Sequence, residues 1–204
     1  MEHARRSPSG RTVGQVTAEL QQHRWSTEGF LRAWEAGGFD DARVEMVDGD
    51  LWPVSLGSWH GDTTGRATRS LPNSAYEVTM SSLVLATSVV DPDVWVHRAD
   101  AQPLRMASRR MAVWDPADVL LVVEVGDETL DADLSTKARL YGAAGFAVYW
   151  VVGREGVHEH TGPTPFGYRT VRRYWPGDSL PVPYADALIE VSALVSAEPA
   201  PPVE

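Results

Sequence analysis

The run VLLVVEV at residues 119–125 constrains the fold of this chain more than any other segment. It is apolar along almost its whole length and rich in β-branched residues, which favour strands. Because its side chains are apolar on both faces, the strand must be covered on both sides, as at the centre of a sheet flanked by helices. The chain is therefore predicted to be an α/β protein.

The surrounding segments predict a mixed sheet with helices against it. The remaining predicted strands are YEVTM, LVLATSVV, DVWVH and AVYWVV, with VHEH and YRTVRRYW as outer antiparallel strands. RVEMVDGDLWPV is predicted to be a hairpin that turns at Asp48-Gly49. The predicted helices are a short one from Ser26 or Thr27 to Gly37, one weakened by glycines over residues 58–71, and one over residues 133–144 that ends at Gly145.

Length and composition limit how the chain is organised. Its 204 residues fit one domain, predicted over residues 17–195, with a disordered leader at 1–16 and a disordered tail at 196–204. No apolar run is long enough to cross a bilayer, and no secretory signal is predicted. The absence of cysteine excludes disulfides and thiolate metal sites and favours the cytoplasm.

The charge of the chain bears on its partners. The formal net charge is −10, from 28 acidic and 18 basic residues. A protein that binds nucleic acid tightly through phosphates usually presents a basic face. Any nucleic acid must therefore approach this chain against a repulsive average field, which bound cations partly relieve.

Two carboxylates stand where buried strands are predicted to end or begin. Glu124 lies near the end of the most hydrophobic strand, and Asp93 opens another strand directly after Pro92. A buried carboxylate must be protonated, paired with a cation or bound to a metal, unless its head reaches solvent at the strand end. Two carboxylates at adjacent strand ends suit Mg²⁺, which takes one or two of them and keeps several waters.

Lys137 is the only lysine, since the other seventeen basic residues are arginine. Lysine is a compact ammonium that can lie beside a water or a phosphate oxygen, whereas arginine is a broad fork that stays charged. Lys137 falls on the helix after the Glu124 strand, and Tyr141 lies one turn further on the same face. Lys137 is therefore a candidate for chemistry.

These residues form part of a longer pattern that resembles a known family. The series VEMVDGDL, His60, DPDVWV, LLVVEV, DADLSTKARLYGAAGF and VYWVV is similar to the Uma2-like endonucleases of the PD-(D/E)XK nuclease superfamily. The resemblance covers about residues 26–195 and implies a restriction-endonuclease-like mixed sheet flanked by helices, with additional antiparallel strands.

The resemblance also implies a metal-dependent active site. Asp93 and Glu124 would hold Mg²⁺ or Mn²⁺. The superfamily's usual lysine two positions after the second acid is replaced by Gly126, and Lys137 on the next helix takes its place. Lys137 would position or deprotonate the attacking water and offset charge on the phosphorus.

Two further site residues follow from the resemblance alone. Glu45 matches a glutamate at the start of the family's hairpin and would complete the ligand shell, although Val44 replaces the usual aromatic residue. His60 matches a histidine that opens the family's first long helix and would contact phosphate or water. That helix is glycine-rich here, which departs from the family pattern.

The implied activity is hydrolysis of DNA phosphodiester bonds, with DNA as partner and a homodimer as the assembly that cuts both strands. A catalytically silent nuclease-fold interaction module is the alternative, which the acidity favours, and a regulatory divalent-ion binder is a third possibility. Other polar residues are predicted to be structural. Asp127, Asp131 and Asp133 are predicted to be helix-start or solvated charges, and His158 and His160 to face solvent on an edge strand.

Overall fold

The computed structural model describes residues 24–54 and 57–195, so the predicted leader and tail lie outside the described residues. The helical segments are α1 Thr27–Glu35, α2 Ser58–Ser70, α3 Leu130–Ala132, a π-helical turn Asp133–Lys137, α4 Ala138–Ala144 and α5 Val191–Leu194. The strands are β1 Val44–Val47, β2 Asp50–Pro53, β3 Tyr76–Thr79, β4 Leu83–Val84, β5 Val89–Val90, β6 Val94–Arg98, β7 Arg105–Met106, β8 Ala112–Val113, β9 Val119–Val125, β10 Val148–Gly153, β11 Gly156–Thr164, β12 Gly167–Tyr174, β13 Ser179–Pro181 and β14 Leu188–Glu190.

The main sheet has the strand order β12-β11-β10-β9-β6-β3. Strand β9 is the predicted central strand, and it pairs in parallel with β10 and antiparallel with β6. The segments α3 to α4 connect β9 to β10, because a parallel pair needs a crossover. The α/β class with a mixed sheet and antiparallel outer strands is confirmed.

Both faces of the main sheet are covered. One face packs Leu121 and Val123 against α2 and α5 in a common cluster. The other face packs Val122 and Val151 against α4 and against residues of a second sheet, with the order β2-β1-β5-β4-β8-β7. This two-sided burial explains why the β9 sequence is apolar at nearly every position.

The first helix and the hairpin form as predicted. The Ser26 hydroxyl accepts a hydrogen bond from the Gly29 N–H at 3.1 Å and caps α1. Asp48 and Gly49 both have positive φ, 48° and 87°, which a two-residue hairpin turn of the primed type requires. The turn pairs Val47 with Asp50 and so fixes the register of β1 against β2.

LVLATSVV was predicted to be one strand, and that prediction is wrong. The segment folds back as the hairpin of β4 and β5, where the Leu85 N–H donates to the Ser88 carbonyl at 2.8 Å. Side chains of the turn are held by Asp48. The Thr87 hydroxyl donates to its carboxylate at 2.8 Å, and the Ser88 hydroxyl accepts from its N–H at 2.9 Å. These long-range polar contacts stabilise a reversal that the apolar pattern does not show.

No helix within residues 24–54 and 57–195 is long and apolar enough to cross a membrane.

A glycine in α4 allows close contact between that helix and β12. A Cβ atom at Gly142 would fall on the backbone of Gly167, which cannot move as a flexible side chain can. We expect Gly142→Ala to lower the free energy of unfolding by about 3 kcal/mol, a typical cost of overpacking a core contact. Thermal and urea denaturation measure the change.

Gly61→Ala is the matched control for that prediction, because a Cβ at Gly61 meets nothing within 4 Å. Alanine in a helix interior is more favourable than glycine by roughly 0.5–1 kcal/mol. The control should therefore hold or raise stability. Equal losses in the two variants would show that the contact between α4 and β12 is looser than described.

Candidate active site

Glu124 lies near the end of β9, on the face of the main sheet that packs against α4. Successive side chains of a strand point to opposite faces. Glu124 therefore shares its face with Val122, which belongs to the same core cluster as Ala138 and Tyr141 of α4. Only 3% of Glu124 is exposed, so its carboxylate does not reach solvent and needs partners inside the protein.

Lys137 supplies one of these partners from the end of the π-helical turn. Its Nζ lies 3.0 Å from Glu124 Oε1, 2.9 Å from Glu45 Oε1 and 3.8 Å from Asp133 Oδ1. Such π-helical turns within helices are rare and are frequent at functional sites. This turn begins with buried Asp133 and ends with buried Lys137. The ammonium is thus held among three carboxylates.

Glu45 reaches the same cluster from β1 in the second sheet. It is 6% exposed, and its second carboxylate oxygen accepts a weak hydrogen bond from the Asp91 N–H at 3.4 Å. β1 pairs with β5, and Asp91 follows β5 directly. The second sheet therefore carries Glu45 to the Lys137 ammonium, a contact that the expected role in a ligand shell did not include.

Asp93 lies opposite Glu124 on the neighbouring strand. The pairing of β6 with β9 sets Val94 against Val123, so the next step of the register places Asp93 against Glu124. Asp93 Oδ2 accepts a hydrogen bond from the Val125 N–H at 2.7 Å. The two acids predicted to share a cation therefore stand on adjacent strand ends, as the sequence indicated.

His60 joins Asp93 from the first turn of α2. Its Nε2 lies 2.9 Å from Asp93 Oδ1. This hydrogen bond raises the pKa of His60 above its usual value, against the opposing effect of burial. The structure thus brings all five predicted site residues together, with Asp93 and His60 as one pair and with Glu45 and Glu124 around Lys137.

The electrostatics of the cluster are dominated by burial and crowding. Burial raises the pKa of Glu124 well above its usual range, and the Asp93, Asp133 and Glu45 carboxylates raise it further against the attraction of Lys137. Burial alone would lower the pKa of Lys137, but the surrounding carboxylates outweigh it and raise the pKa above its usual value. The lysine therefore stays an ammonium, and the carboxylates beside it outnumber it.

Asp133 and Tyr141 belong to the site in ways that sequence reasoning missed. Asp133 was predicted to be a helix-start or solvated charge, which is wrong, because only 1% of it is exposed. The available signal was its spacing of four residues before Lys137. Tyr141 was predicted only to share a helix face with Lys137, and its hydroxyl also donates a 2.7 Å hydrogen bond to Glu124 Oε1. Asp127, in contrast, forms a surface ion pair with Arg154 at 2.8 Å.

The prediction that His160 faces solvent is also wrong. His160 is 4% exposed, with ring centroids 5.3 Å from Tyr149 and 5.7 Å from Tyr168. Burial lowers its pKa to about 4, so the imidazole is neutral near pH 7. The ring belongs to an aromatic cluster on the face that packs against α4.

The cluster fits a hard cation better than a zinc site. Three carboxylates surround the Lys137 ammonium, Asp93 lies on the strand beside Glu124, and Asp133 Oδ1 is buried with no hydrogen-bond partner among the described residues. In residues 24–54 and 57–195, no group of three or more His, Cys, Asp or Glu is placed to hold a metal. Mg²⁺ needs only one or two carboxylates beside waters and substrate oxygens, and carboxylates such as Asp93 and Glu124 are the donor type that would suit it.

A cleft gives access to this cluster. Its volume is about 660 Å³, and its lining includes His60, Thr64, Arg69, Asp93 and Arg110. We call it the Asp93 cleft. The buried Glu124 and Lys137 are not part of its described lining, so Asp93 connects the cluster with the cleft.

Comparison with known proteins agrees with this architecture. The family model described as "Uma2: Putative restriction endonuclease" matches residues 28–187. Among solved structures, the chain is similar to a putative nuclease belonging to DUF820 from Anabaena variabilis ATCC 29413, with a TM-score of 0.65 and 11% sequence identity. The alignment covers 84% of this chain and 97% of that chain, which shows a shared fold. No match was found among curated proteins.

Proposed function

The chain belongs to the Uma2 family, and from that membership we propose that it is a metal-dependent endonuclease that hydrolyses DNA phosphodiester bonds. One observation carries the proposal. Asp93 and Glu124 from adjacent strands and Lys137 from the following helix converge on one cluster beside a cleft. The structural similarity to a nuclease-fold protein is consistent with it.

The two acids and the lysine have separate roles in the proposed phosphodiester hydrolysis. Mg²⁺, or Mn²⁺, held by Asp93 and Glu124 would polarise the scissile phosphate and lower the pKa of a bound water. Lys137 positions the attacking water and offsets the charge that develops on the phosphorus. Of the two roles considered for Lys137, its raised pKa favours this one over that of general base.

Glu45 and His60 support these groups. Glu45 holds the Lys137 ammonium at 2.9 Å and so fixes its direction, with completion of the ligand shell as a further role. His60 fixes the Asp93 carboxylate through its 2.9 Å contact and lies at the Asp93 cleft, where it can contact a phosphate. The proposed catalytic set is therefore Asp93, Glu124 and Lys137, with these two residues beside it.

Nicking of supercoiled plasmid tests the proposed function. We expect cleavage with Mg²⁺ or Mn²⁺, none with EDTA, and none from Glu124→Ala. Glu128→Ala is the matched control, because Glu128 lies four residues away and is exposed. If Glu124→Ala cuts as fast as the wild type, this acid is not a metal ligand and the proposed site is wrong.

A catalytically silent nuclease-fold module is the second candidate, and the net charge of −10 favours it. Calorimetry with Mg²⁺ and Mn²⁺ separates the possibilities. Metal binding with cleavage supports the nuclease, metal binding without cleavage supports an ion-binding role, and neither supports the silent module.

We also propose a homodimer, since cutting both strands of a duplex usually requires two sites and two-fold pairs are the commonest assemblies. Sedimentation velocity measures the assembly, and a monomer over the concentrations at which the protein cuts would rule out this proposal.

A further inference from the structure

The Asp93 cleft is basic although the chain is acidic. Its charged lining contains Arg43, Arg69 and Arg110 against Asp91 and Asp93, with His60 as a further group that can carry positive charge. The chain as a whole has a net charge of −10. The cleft beside the proposed catalytic cluster therefore has more arginines than carboxylates, unlike the chain as a whole. Guanidinium groups bind phosphates well.

Among the described residues these three arginines have no acidic partner, and the Arg110 guanidinium lies over the Trp34 ring, 5.9 Å from its centroid. Arg43, Arg69 and Arg110 are exposed, and none forms an ion pair with a carboxylate within the described residues. Six of the eleven other described arginines do form such pairs, namely Arg24, Arg32, Arg98, Arg139, Arg154 and Arg173. The guanidinium groups at the Asp93 cleft thus remain available for an anionic ligand.

Helix α2 presents small residues to the same cleft. Gly61, Thr64, Gly65 and Thr68 all line it, and a Cβ at Gly61 would meet nothing within 4 Å. Thr64 is 6% exposed, and its hydroxyl is buried without a hydrogen-bond partner among the described residues. A buried hydroxyl without a partner is costly, so a ligand oxygen at this place would satisfy it. The glycine-rich helix therefore leaves room for a ligand backbone to approach closely.

A neighbouring cleft of about 760 Å³ lacks this excess of arginine over carboxylates. It shares Arg43 and Arg110 with the Asp93 cleft, but Glu35, Asp40 and Asp41 also line it. These carboxylates would repel a phosphate chain. The path that favours phosphates is therefore limited to the Asp93 cleft.

The shape and apolar surface of the Asp93 cleft favour one strand over two. Its volume of about 660 Å³ is in the range of enclosed ligand pockets. Trp34 lines it, and so does Met80, which is 63% exposed. Such surfaces can contact unstacked bases, which a duplex keeps inside. A duplex also carries one charge per about 1.7 Å of axis against about 3.4 Å for one strand, and so is repelled more by an acidic protein.

We propose that the Asp93 cleft binds a single nucleic acid strand, with Arg43, Arg69 and Arg110 on its phosphates. The Thr64 hydroxyl donates to an oxygen of the same strand, and Trp34 contacts a base. The proposal rests on the proposed nuclease function and narrows the substrate of each active site to one unpaired strand, either free or within a locally opened duplex whose two strands a homodimer would cut.

Fluorescence anisotropy in EDTA tests strand binding without cleavage. The probes are a labelled DNA strand of about 20 nucleotides, longer than common single-strand binding sites, and its duplex. We expect the wild-type chain to bind the single strand about tenfold more tightly than the duplex. Arg69→Glu should weaken single-strand binding about tenfold. It should also reduce the slope of the logarithm of the binding constant against the logarithm of salt concentration by about 0.7 per lost phosphate contact. Equal or tighter binding of the duplex overturns the proposal.

Two further variants distinguish binding at the Asp93 cleft from nonspecific electrostatic attraction to the protein surface. Arg105→Glu makes the same charge change at an exposed residue of β7 that does not line the Asp93 cleft, and should leave binding within about twofold. Thr64→Val removes the hydroxyl without a change in shape, and should weaken binding about fivefold while thermal stability is held or raised. If Arg69→Glu behaves like Arg105→Glu, the cleft is not the binding site.

Failure of this inference is distinguishable from failure of the nuclease function. Metal-dependent nicking without a preference for the single strand overturns the substrate proposal and leaves the nuclease in place. Preference for the single strand without cleavage in Mg²⁺ or Mn²⁺ overturns the nuclease function and leaves the binding site in place.

Discussion

Lys137→Met should abolish cleavage and lower the free energy of unfolding by about 3–5 kcal/mol, the usual cost of removing one partner from a buried ion pair. Methionine keeps much of the length of the side chain and removes the charge. The loss is large because Glu124, Glu45 and Asp133 are all buried, and Lys137 is the ammonium between them. At about 2–4 °C per kcal/mol for a chain of this size, the melting temperature should fall by roughly 6–20 °C.

The stability loss in Lys137→Met should depend on pH in a defined direction. Without the ammonium, the pKa of Glu124 and that of Asp133, both already raised by burial, rise further in the folded state. The folded variant then binds more protons than the unfolded chain, so its stability falls as pH rises. The deficit relative to the wild type should therefore be largest near pH 8 and should shrink as pH falls toward about 4.

Arg139→Met is the matched control, since Arg139 lies two residues away and is ion-paired with Asp48 at the surface. Exposed pairs contribute about 0–1 kcal/mol, so this variant should change stability little. Circular dichroism melts at several pH values in EDTA, with nicking assays in Mg²⁺, measure both effects. A Lys137→Met protein as stable as Arg139→Met would mean that the carboxylates are hydrated rather than buried.

The sequence was sufficient to predict the centre of the fold and that Asp93 and Glu124 lie at adjacent strand ends. An apolar strand covered on both faces leaves few positions for β9, and a carboxylate within it must meet a cation. Asp93 was singled out because it opens a strand directly after Pro92, and the register of β6 against β9 sets it opposite Glu124. At these positions the apolar sequence pattern and the cost of burying a carboxylate both indicate the same placement.

Other members of the site depend on tertiary contacts that no local pattern shows. Asp133 looks like a helix-start acid, and only the packing of the π-helical turn against the main sheet buries it. Glu45 lies in a hairpin of the second sheet, and its contact with Lys137 depends on how the two sheets pack. The family resemblance identified Glu45, whereas the sequence pattern alone gave no reason to choose it.

The outward-facing prediction for His160 failed for a similar reason. Alternation in β11 correctly gives two faces, but it does not say which of them is covered. The helix α4 covers the face that carries His160, together with Tyr149 and Tyr168. The alternation within a strand shows which residues share a sheet face. Only the whole fold shows whether a helix or solvent covers that face.

Glu124→Gln should abolish cleavage, like Lys137→Met, but with the opposite effect on stability. Glutamine keeps an oxygen that can accept hydrogen bonds from Lys137 and Tyr141, which now donate to Glu124 Oε1 at 3.0 and 2.7 Å. It removes a buried charge that Asp93 and Asp133 repel. Lys137 keeps Glu45 and Asp133 as counter-charges, so loss of the Glu124 charge, unlike loss of the ammonium, leaves no buried charge without an opposite charge beside it.

The sign of this effect follows from the raised pKa of Glu124. Between its usual pKa of about 4.3 and its raised value, the folded wild type binds more protons than the unfolded chain and loses stability as pH increases. Glu124→Gln lacks this titration, so in EDTA its melting temperature should match the wild type near pH 4 and exceed it near pH 8. Mg²⁺ should raise the melting temperature of the wild type and not of the variant, because a ligand stabilises only the state that binds it. A variant less stable than the wild type at pH 8, or one equally stabilised by Mg²⁺, would contradict the role of Glu124 as a buried cation ligand.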